Sequence, residues 1–556
     1  MPHLTDEDIA RSAHPARIEN VADMLGLNES QVVPYGPAIA KVQVPESTPP
    51  TPQSKLILVT AMTATPKGAG KTVTTIGLGQ AFGRMGLRHC ICLREPSIGP
   101  TLGMKGGAAG GGRAQVQPME DINLHFTGDL HAVTSAHNLL AALVDNHVHF
   151  DNALGVDPSH ITWPRVMDIC DRQLRHVELG GGGRNTGFSH LTRFDITAAS
   201  EVMAVLSLSQ HREDLEARLG RMVVAYDRQG QPLFARQFGA VGAMTALLRH
   251  ALHPNLVQTL EQTPALIHCG PFANISHGCS SVMATKLALS TCDYVITEAG
   301  FGADLGAEKF FHIKCRQANL QPTVAVLVIN CPALRYHGGV DAEQLDQPDA
   351  DAIARGLQNM RVHVENLRKF GVPVVVALNS FPQDSAEELR VIRNACEELE
   401  APFELSQTFE RGAAGALALA QQVRQIADNA TPRLRFLYEF QDSLPTKIER
   451  LSTEVYRAQG VHMDPQAQED LARIEALGYA HLPLCVSKTP LSLSDQPKLR
   501  GVPEGVTVRV RGLQVSGGAG YIVVRMGAIE RMPGMAKSPA AMRIHLDDLG
   551  HIRGLY

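Results

Sequence analysis

At 556 residues and a formal charge of −5, the chain is too long for one small core and too close to neutral for bulk affinity toward nucleic acid or an acidic membrane. Its hydrophobic fraction of 44% and charged fraction of 19% are ordinary for a soluble globular protein, here of about two to four domains. The ten cysteines include no Cys-x-x-Cys spacing, which argues against a structural zinc or a disulfide framework and for reduced, buried thiols.

Residues 1–53 read as a charged helical lead followed by a Pro/Thr-rich approach. The lead has no apolar signal core, and no later run is long enough to span a bilayer, so a cytoplasmic protein with no membrane contact is expected. Short, β-branched apolar runs then recur at Lys55–Met62, Arg88–Leu93, Ala265–Cys269, Asp293–Thr297, Thr323–Asn330 and Val372–Asn379. Runs of that kind suit strands covered on both faces, as in a parallel sheet with helices either side. Helical patterns separate several of them. One is His131–Val148, whose Ala132, Ala136, Leu139, Leu140 and Leu143 share a stripe. The fold class implied is α/β, a mostly parallel sheet flanked by helices over roughly the first two thirds.

The last third changes character. Thr446–Glu449 has capping-box spacing before a helix that aligns Ile448, Leu451 and Val455. Beyond Gly501 the residues alternate as strands do, with turns at Gly517–Gly520 and Met532–Gly534, so a smaller α+β portion is expected there. The glycine runs 106–112 and 180–183 read as loops.

The strongest chemical signal follows the first run: Thr65, Pro66, Lys67, Gly68, Ala69, Gly70, Lys71 and Thr72, then a helical stretch. Strand, glycine loop and helix form the context of a phosphate-binding P-loop. Gly68 and Gly70 let the backbone curl so that amides face an anion, and the helix offers its positive end to the same point. Lys71 would meet the terminal phosphates of ATP and the Thr72 hydroxyl would hold Mg2+. The usual first glycine is here Thr65, followed by Pro66.

Arg94 and Glu95 follow the next run. Ligands in open α/β sheets sit beyond the carboxyl ends of strands, so both residues are expected at the same crevice. An arginine there clamps a carboxylate or an acyl phosphate, or else forms an ordinary surface ion pair with its neighbour. Glu120, Asp121, His125 and Asp129 bring acid, base and Mg2+-supporting types into a short span, although Asp129 equally suits a helix cap. His147 and His149 stand two apart, which on a helix puts them on different faces and favours structural roles.

Six strings now carry a resemblance. Arg94–Pro100, Pro118–Asp129, Phe194–Met203, Gly270–Gly278, Gly300–Phe311 and His337–Gly339 resemble those of formate–tetrahydrofolate ligase, in its monofunctional form, and the likeness runs nearly the whole chain. The resemblance implies ATP-dependent ligation of formate to tetrahydrofolate through formyl phosphate, giving 10-formyltetrahydrofolate, ADP and phosphate. It implies a P-loop domain over 1–365 that binds nucleotide and formyl phosphate. It implies further an α/β domain over 366–450 contributing the folate slot, and an α+β domain over 451–556. Arg94, with Glu95 beside it, would hold formate and then formyl phosphate. Phe381 matches one aromatic wall of the slot, and Phe409 stands where the family has Trp, so weaker folate stacking is expected. A homotetramer and stimulation by K+ or NH4+ are carried over in the same way.

Other departures are Lys67 and Ala69, where the family has Ala and Glu, and Arg113, where an aromatic is common. None removes Lys71, Thr72 or Arg94, so an active enzyme with shifted constants is expected. The competing readings are a P-loop switch ATPase and another ATP-dependent carboxylate ligase. Pro66 stands where partitioning ATPases carry a signature lysine, which weighs against the switch.

Overall fold

The computed structural model describes residues 4–45, 51, 53–105, 109–181 and 187–555. Parts of the Pro/Thr-rich approach (46–50 and 52) and of both glycine runs (106–108 and 182–183) lie outside the described residues.

Twelve strands form the main sheet. Its continuous path uses β1 (Val32–Pro34), β2 (Ala40–Val42), β3 (Lys55–Ala61), β4 (His89–Leu93), β5 (Asn255–Thr259), β6 (Pro264–Ile267), β7 (Tyr294–Glu298), β8 (Pro322–Ile329), β9 (Val374–Asn379) and β10 (Phe403–Ser406). The spatial order is β1-β2-β5-β6-β4-β7-β3-β8-β9-β10. From β6 to β10 every neighbouring pair is parallel; antiparallel pairing lies at the β1, β2 and β5 edge, where the off-path strand Ala114–Gln117 pairs with β5 and with Gly110–Gly111. All six apolar runs marked in the sequence lie in the parallel part.

The reason is visible in β3. Leu56 through Ala61 are all buried, yet they alternate between two cores. Ile57, Val59 and Ala61 pack with Leu78, Ala81 and Phe82 of α1 (Lys71–Arg84), and with Leu419, Val423 and Ala427 of a helix over Leu417–Asn429. Leu56 and Leu58 join the opposite core with Val282 and Leu287, and with Met360, Val364 and Leu367 of the long helix Ala350–Lys369. A strand covered on both faces gains about 1.5–3 kcal/mol for each large aliphatic side chain it buries, which is why its sequence is apolar throughout rather than alternating.

A second, four-stranded sheet joins Gly460–Met463, Thr507–Ser516, Tyr521–Met526 and Leu484–Ser487, the middle two as a hairpin turning through the glycines at 517–520. Ile448, Leu451, Ile474, Val508, Val510 and Val524 fill its core. The helix that supplies Ile448 runs Leu444–Glu454, two residues ahead of the expected start. Its cap is Ser443, whose hydroxyl accepts the Thr446 amide at 3.3 Å, and Pro445 occupies the first turn, where a missing N–H costs nothing. The expected box at Thr446–Glu449 therefore falls inside the helix. All ten cysteines are buried and free, as composition suggested. Among the described residues no helix is long and apolar enough to cross a membrane.

Candidate functional site

The site is assembled where the parallel strands end. β3 runs into residues 62–70, and α1 starts at Lys71. Thr63, at the foot of this loop, is held from three sides. Its amide donates to Asn359 Oδ1 (3.3 Å), its hydroxyl lies 2.9 Å from His363 Nε2, and its carbonyl accepts from His337 Nε2 (3.1 Å). His337 Nδ1 in turn accepts the Gly501 amide at 3.1 Å, which fixes the ring proton on Nε2. Burial presses His337 down to about 4, so it stays the neutral tautomer this arrangement needs.

Higher in the loop, Asn330 Nδ2 donates to the Gly68 carbonyl (3.0 Å) and Asn379 Nδ2 reaches toward that of Ala69 (3.5 Å). Both asparagines directly follow or end a neighbouring strand, β8 and β9. Thr65 and Ala69 are buried, Pro66, Lys67 and Gly68 are exposed, and Lys67 pairs with Asp346 at 2.6 Å. Gly70 takes a left-handed conformation (φ 81°) as the residue before α1, and no side chain caps the first turn. The helix therefore starts with its positive end at the loop. Lys71 and Thr72 open the helix half-buried.

The Thr72 hydroxyl donates to Glu298 Oε2 at 2.9 Å. Glu298 is the last residue of β7, the strand between β3 and β4, and its side chain is buried. Two residues on, a β-carbon at Gly300 would stand 3.3 Å from Arg94 Nη1, 2.8 Å from the Ala273 methyl and 3.2 Å from the Gly278 carbonyl. Only glycine admits that approach. Arg94 follows β4; it reaches the Pro271 carbonyl at 3.5 Å, and its buried Nε has no hydrogen-bond partner. At one end of the tripeptide Glu298 to Gly300, Glu298 thus meets Thr72, and Gly300 at the other leaves room for Arg94, whose Nη1 a β-carbon there would approach to 3.3 Å. A span of two residues is at most about 7 Å, the scale of a phosphate beside a one-carbon acid.

Positive charge collects under this corner. Lys309 and Lys314 are fully buried and donate to the carbonyls of Ala273 and Ser280, and among the described residues neither forms an ion pair. Burial, and after it the charges of Lys314, Lys309 and Arg94, holds His277 well below its usual range and uncharged. An anion entering here meets an attractive field.

Glu95 turns elsewhere. It is buried, and burial together with the nearby Asp129 carboxylate pushes its carboxyl well above the usual range against the pull of Lys41. It forms no ion pair with Arg94. Asp129 is the first residue of α2 (Asp129–His149), after Gly128 as cap, and takes two hydrogen bonds of the Lys41 ammonium at 2.6 Å, the third going to the His253 carbonyl at 2.9 Å. Glu120 pairs with Arg11 at 3.0 Å, while Asp121 and His125 are exposed. The acid and base types grouped by sequence are therefore dispersed, and no metal-sized cluster of His, Cys, Asp or Glu exists among the described residues. His147 accepts the Leu154 amide at 3.1 Å, a structural contact.

Phe381 and Phe409 lie beyond the carboxyl ends of the adjacent parallel strands β9 and β10, whose Asn379 and Ser406 are in register. Phe381 is half-buried in a turn closed by its amide on Asp384 Oδ2 (2.8 Å). Below it the buried Arg335 grips Glu388 through two bonds of 2.8 Å. Phe409, in the short helix Thr408–Arg411, is 44% exposed, and its carbonyl accepts the Arg113 amide at 2.8 Å. Both rings open on the same end of the sheet as the loop.

Sequence reasoning missed Glu298 and the anchoring roles of Asn330 and Asn379. A signal was present: each is a polar residue at the close of an apolar strand, on the side where such sheets bind ligands. A family model described as formate–tetrahydrofolate ligase matches residues 4–556.

Proposed function

Because the chain belongs to the formate–tetrahydrofolate ligase family, and is thus an ATP-dependent ligase of formate and tetrahydrofolate, we propose that it works through formyl phosphate bound between Lys71 and Arg94. The observation that carries this reading is the Glu298–Gly300 tripeptide, whose first residue accepts the Thr72 hydroxyl and whose last is a glycine in the space beside Arg94.

In the first step a formate oxygen attacks the γ-phosphorus of Mg·ATP, the bond to the bridging oxygen breaks, and ADP leaves. In the second, N10 of tetrahydrofolate attacks the formyl carbon and gives up its proton, the carbon–oxygen bond to phosphate breaks, and phosphate leaves. Formate alone is a poor electrophile, and phosphorylation converts its oxygen into a leaving group. The protein's share is to bring two anions together and to neutralise them. The loop Thr65, Pro66, Lys67, Gly68, Ala69 and Gly70 wraps the phosphates as a P-loop, and Lys71 meets their terminal charge. Arg94 holds formate and then the mixed anhydride. Thr72 and the Glu298 carboxylate are hard oxygen donors that suit Mg2+, which supplies charge neutralisation on the phosphates when bound. Phe381 and Phe409 sandwich the folate ring.

The rest of the reading follows the family resemblance: a cytoplasmic homotetramer of one-carbon metabolism, stimulated by K+ or NH4+, with a nucleotide domain over 1–365, a folate-slot domain over 366–450 and a third over 451–556. The test is formation of 10-formyltetrahydrofolate with each substrate omitted in turn. Lys71→Ala should lose roughly 10²–10³ in kcat while its melting temperature stays near the parent's. Unaltered turnover in that variant would remove the loop from the chemistry.

A further inference from the structure

We propose that the cleft between the helices Arg212–Gly220 and Val241–Leu248 is a separate anion site, which binds a small phosphorylated organic molecule between Arg221 and Arg236. It shares no residue with the corner between Lys71 and Arg94 and does not depend on the reading of that corner.

A β-ladder brings the two arginines together. The strands Val223–Asp227 and Pro232–Phe234 pair antiparallel with Val223 opposite Phe234, and the next amide, that of Ala235, donates to the Met222 carbonyl at 3.0 Å. One step further along each chain stand Arg221 and Arg236. A β-carbon at Gly220 would stand 3.6 Å from Arg236 Cβ and 3.8 Å from Val241 Cγ2, so the stem of Arg236 lies against the residue before Arg221. Like charges at the end of one ladder repel. Burial, and after it the charge of Arg218, holds the Arg221 guanidinium below its usual range, with Arg236 pushing the same way and Asp214 opposing.

The acids nearby are committed elsewhere. Asp214 is gripped by Arg218 at 3.0 Å, and Glu216, on the cleft wall, pairs with Arg212 at 3.2 Å. Among the described residues neither Arg221 nor Arg236 forms an ion pair or a hydrogen bond through its guanidinium. Arg236 rests 4.6 Å from the centre of the Phe234 ring, which orients it without neutralising it. Val241 and Gly242, in the first turn of the second helix, line the same cleft, and no side chain caps that turn, so the positive end of the helix faces the cleft too. A doubly charged phosphate satisfies two arginine forks and a helix end better than a single carboxylate does. The cleft encloses about 560 Å³, more than a bare phosphate fills and within the range of small-molecule sites. Ala217 and Val241 line it beside glycines, side chains with no polar atom, which suits an organic group attached to the phosphate.

The experiment is calorimetric titration of the full chain with phenyl phosphate and, separately, with inorganic phosphate, in the presence of saturating ADP. The parent, Lys71→Ala, Arg221→Gln, Arg236→Gln and Arg236→Lys are compared. Phenyl phosphate should bind a single site per chain, and more tightly than inorganic phosphate. Lys71→Ala should keep that site. Each Gln variant should weaken it roughly tenfold, the scale of one charge-assisted contact, and Arg236→Lys should weaken it less. Without ligand the two Gln variants should melt no lower than the parent, because each removes a repulsion. Absence of binding, loss of the site in Lys71→Ala alone, or unchanged affinity in both Gln variants would overturn the proposal. So would equal affinity for the two probes, or a lower melting temperature of both Gln variants without ligand, which would make the arginines part of the fold's support.

Discussion

The two positive-φ glycines of the loop give a prediction whose size differs between neighbours. Gly68 has φ 73° and Gly70 has φ 81°. An L-residue in that region costs about 1–2 kcal/mol that glycine does not incur. At Gly68 this is the whole cost, because a β-carbon there meets nothing within 4 Å. At Gly70 the same atom would stand 2.3 Å from Asn379 Nδ2 and 3.0 Å from its Cγ, so the Asn379 amide has to move and its reach to the Ala69 carbonyl is lost. That adds about 1 kcal/mol. The loop can relax without disturbing the strands beneath it, so the strain returns when ATP demands the original turn. Gly68→Ala should weaken ATP binding by roughly 5- to 30-fold and Gly70→Ala by roughly 30- to 150-fold. Calorimetric titration with ATP reads this directly, and a thermal melt confirms that both variants are folded. Equal ATP affinity in the two variants, or a worse Gly68→Ala, would refute the steric argument. Parental affinity in both would remove the nucleotide from this loop.

Glu298→Gln keeps an acceptor for the Thr72 hydroxyl but removes the charge, and should raise the Mg2+ concentration for half-maximal rate roughly 10- to 100-fold; an unchanged Mg2+ titration would exclude the carboxylate from cation binding. Glu201 accepts the Gly518 and Ala519 amides, and burial lifts its carboxyl from 4.5 to about 7. Between those values the folded chain keeps a proton that the unfolded chain has released, so stability falls as pH rises through that window, by about 3 kcal/mol in all. Glu201→Gln should flatten that slope in urea unfolding between about pH 5 and pH 8, and a parallel pair of curves would disprove the assignment. Arg335→Met strands Glu388 without its partner and should cost about 3–5 kcal/mol, seen as a lower melting temperature. Glu388, held at about 2 by its arginine and amide donors against its burial, contributes stability that is present above 4.5 and lost as pH falls toward 2.

The fold was legible where both faces of a strand are covered, because such strands leave continuous β-branched runs. All six runs lie in the parallel part of the sheet. The antiparallel edge was not read from the sequence. β1 and β2 are three residues each, and β5 mixes polar with apolar side chains as Asn255, Leu256, Val257, Gln258 and Thr259. β10 is only four residues and half-exposed, so it left no run. At the site, the loop declared itself through glycine spacing, because its conformation is a backbone property. Long-range partners did not. Nothing local links Asn330, Asn379 or Glu298 to a loop more than two hundred residues earlier, and only the strand order brings them to it. Glu95 illustrates the opposite limit: adjacency to Arg94 suggested a shared crevice, yet a one-residue step at a strand end turns the side chain to the other side.

That alternation also accounts for Glu298. Along β7, Tyr294 and Ile296 pack into the core shared with Leu78, Ala81 and Phe82 of α1. Period two carries the next side chain on that face to position 298, one step past the last aliphatic layer. Any residue there emerges at the mouth of the sheet beside the first turn of α1, and a carboxylate meets the Thr72 hydroxyl. Two residues past the strand's end, a β-carbon at position 300 would stand 2.8 Å from the Ala273 methyl and 3.3 Å from Arg94 Nη1. An acid at 298 and glycine at 300 are thus two consequences of one strand register. A change that slips β7 by one residue would remove the carboxylate from Thr72 and drive a side chain into Arg94 together, so ATP and formate binding should fail jointly rather than one at a time.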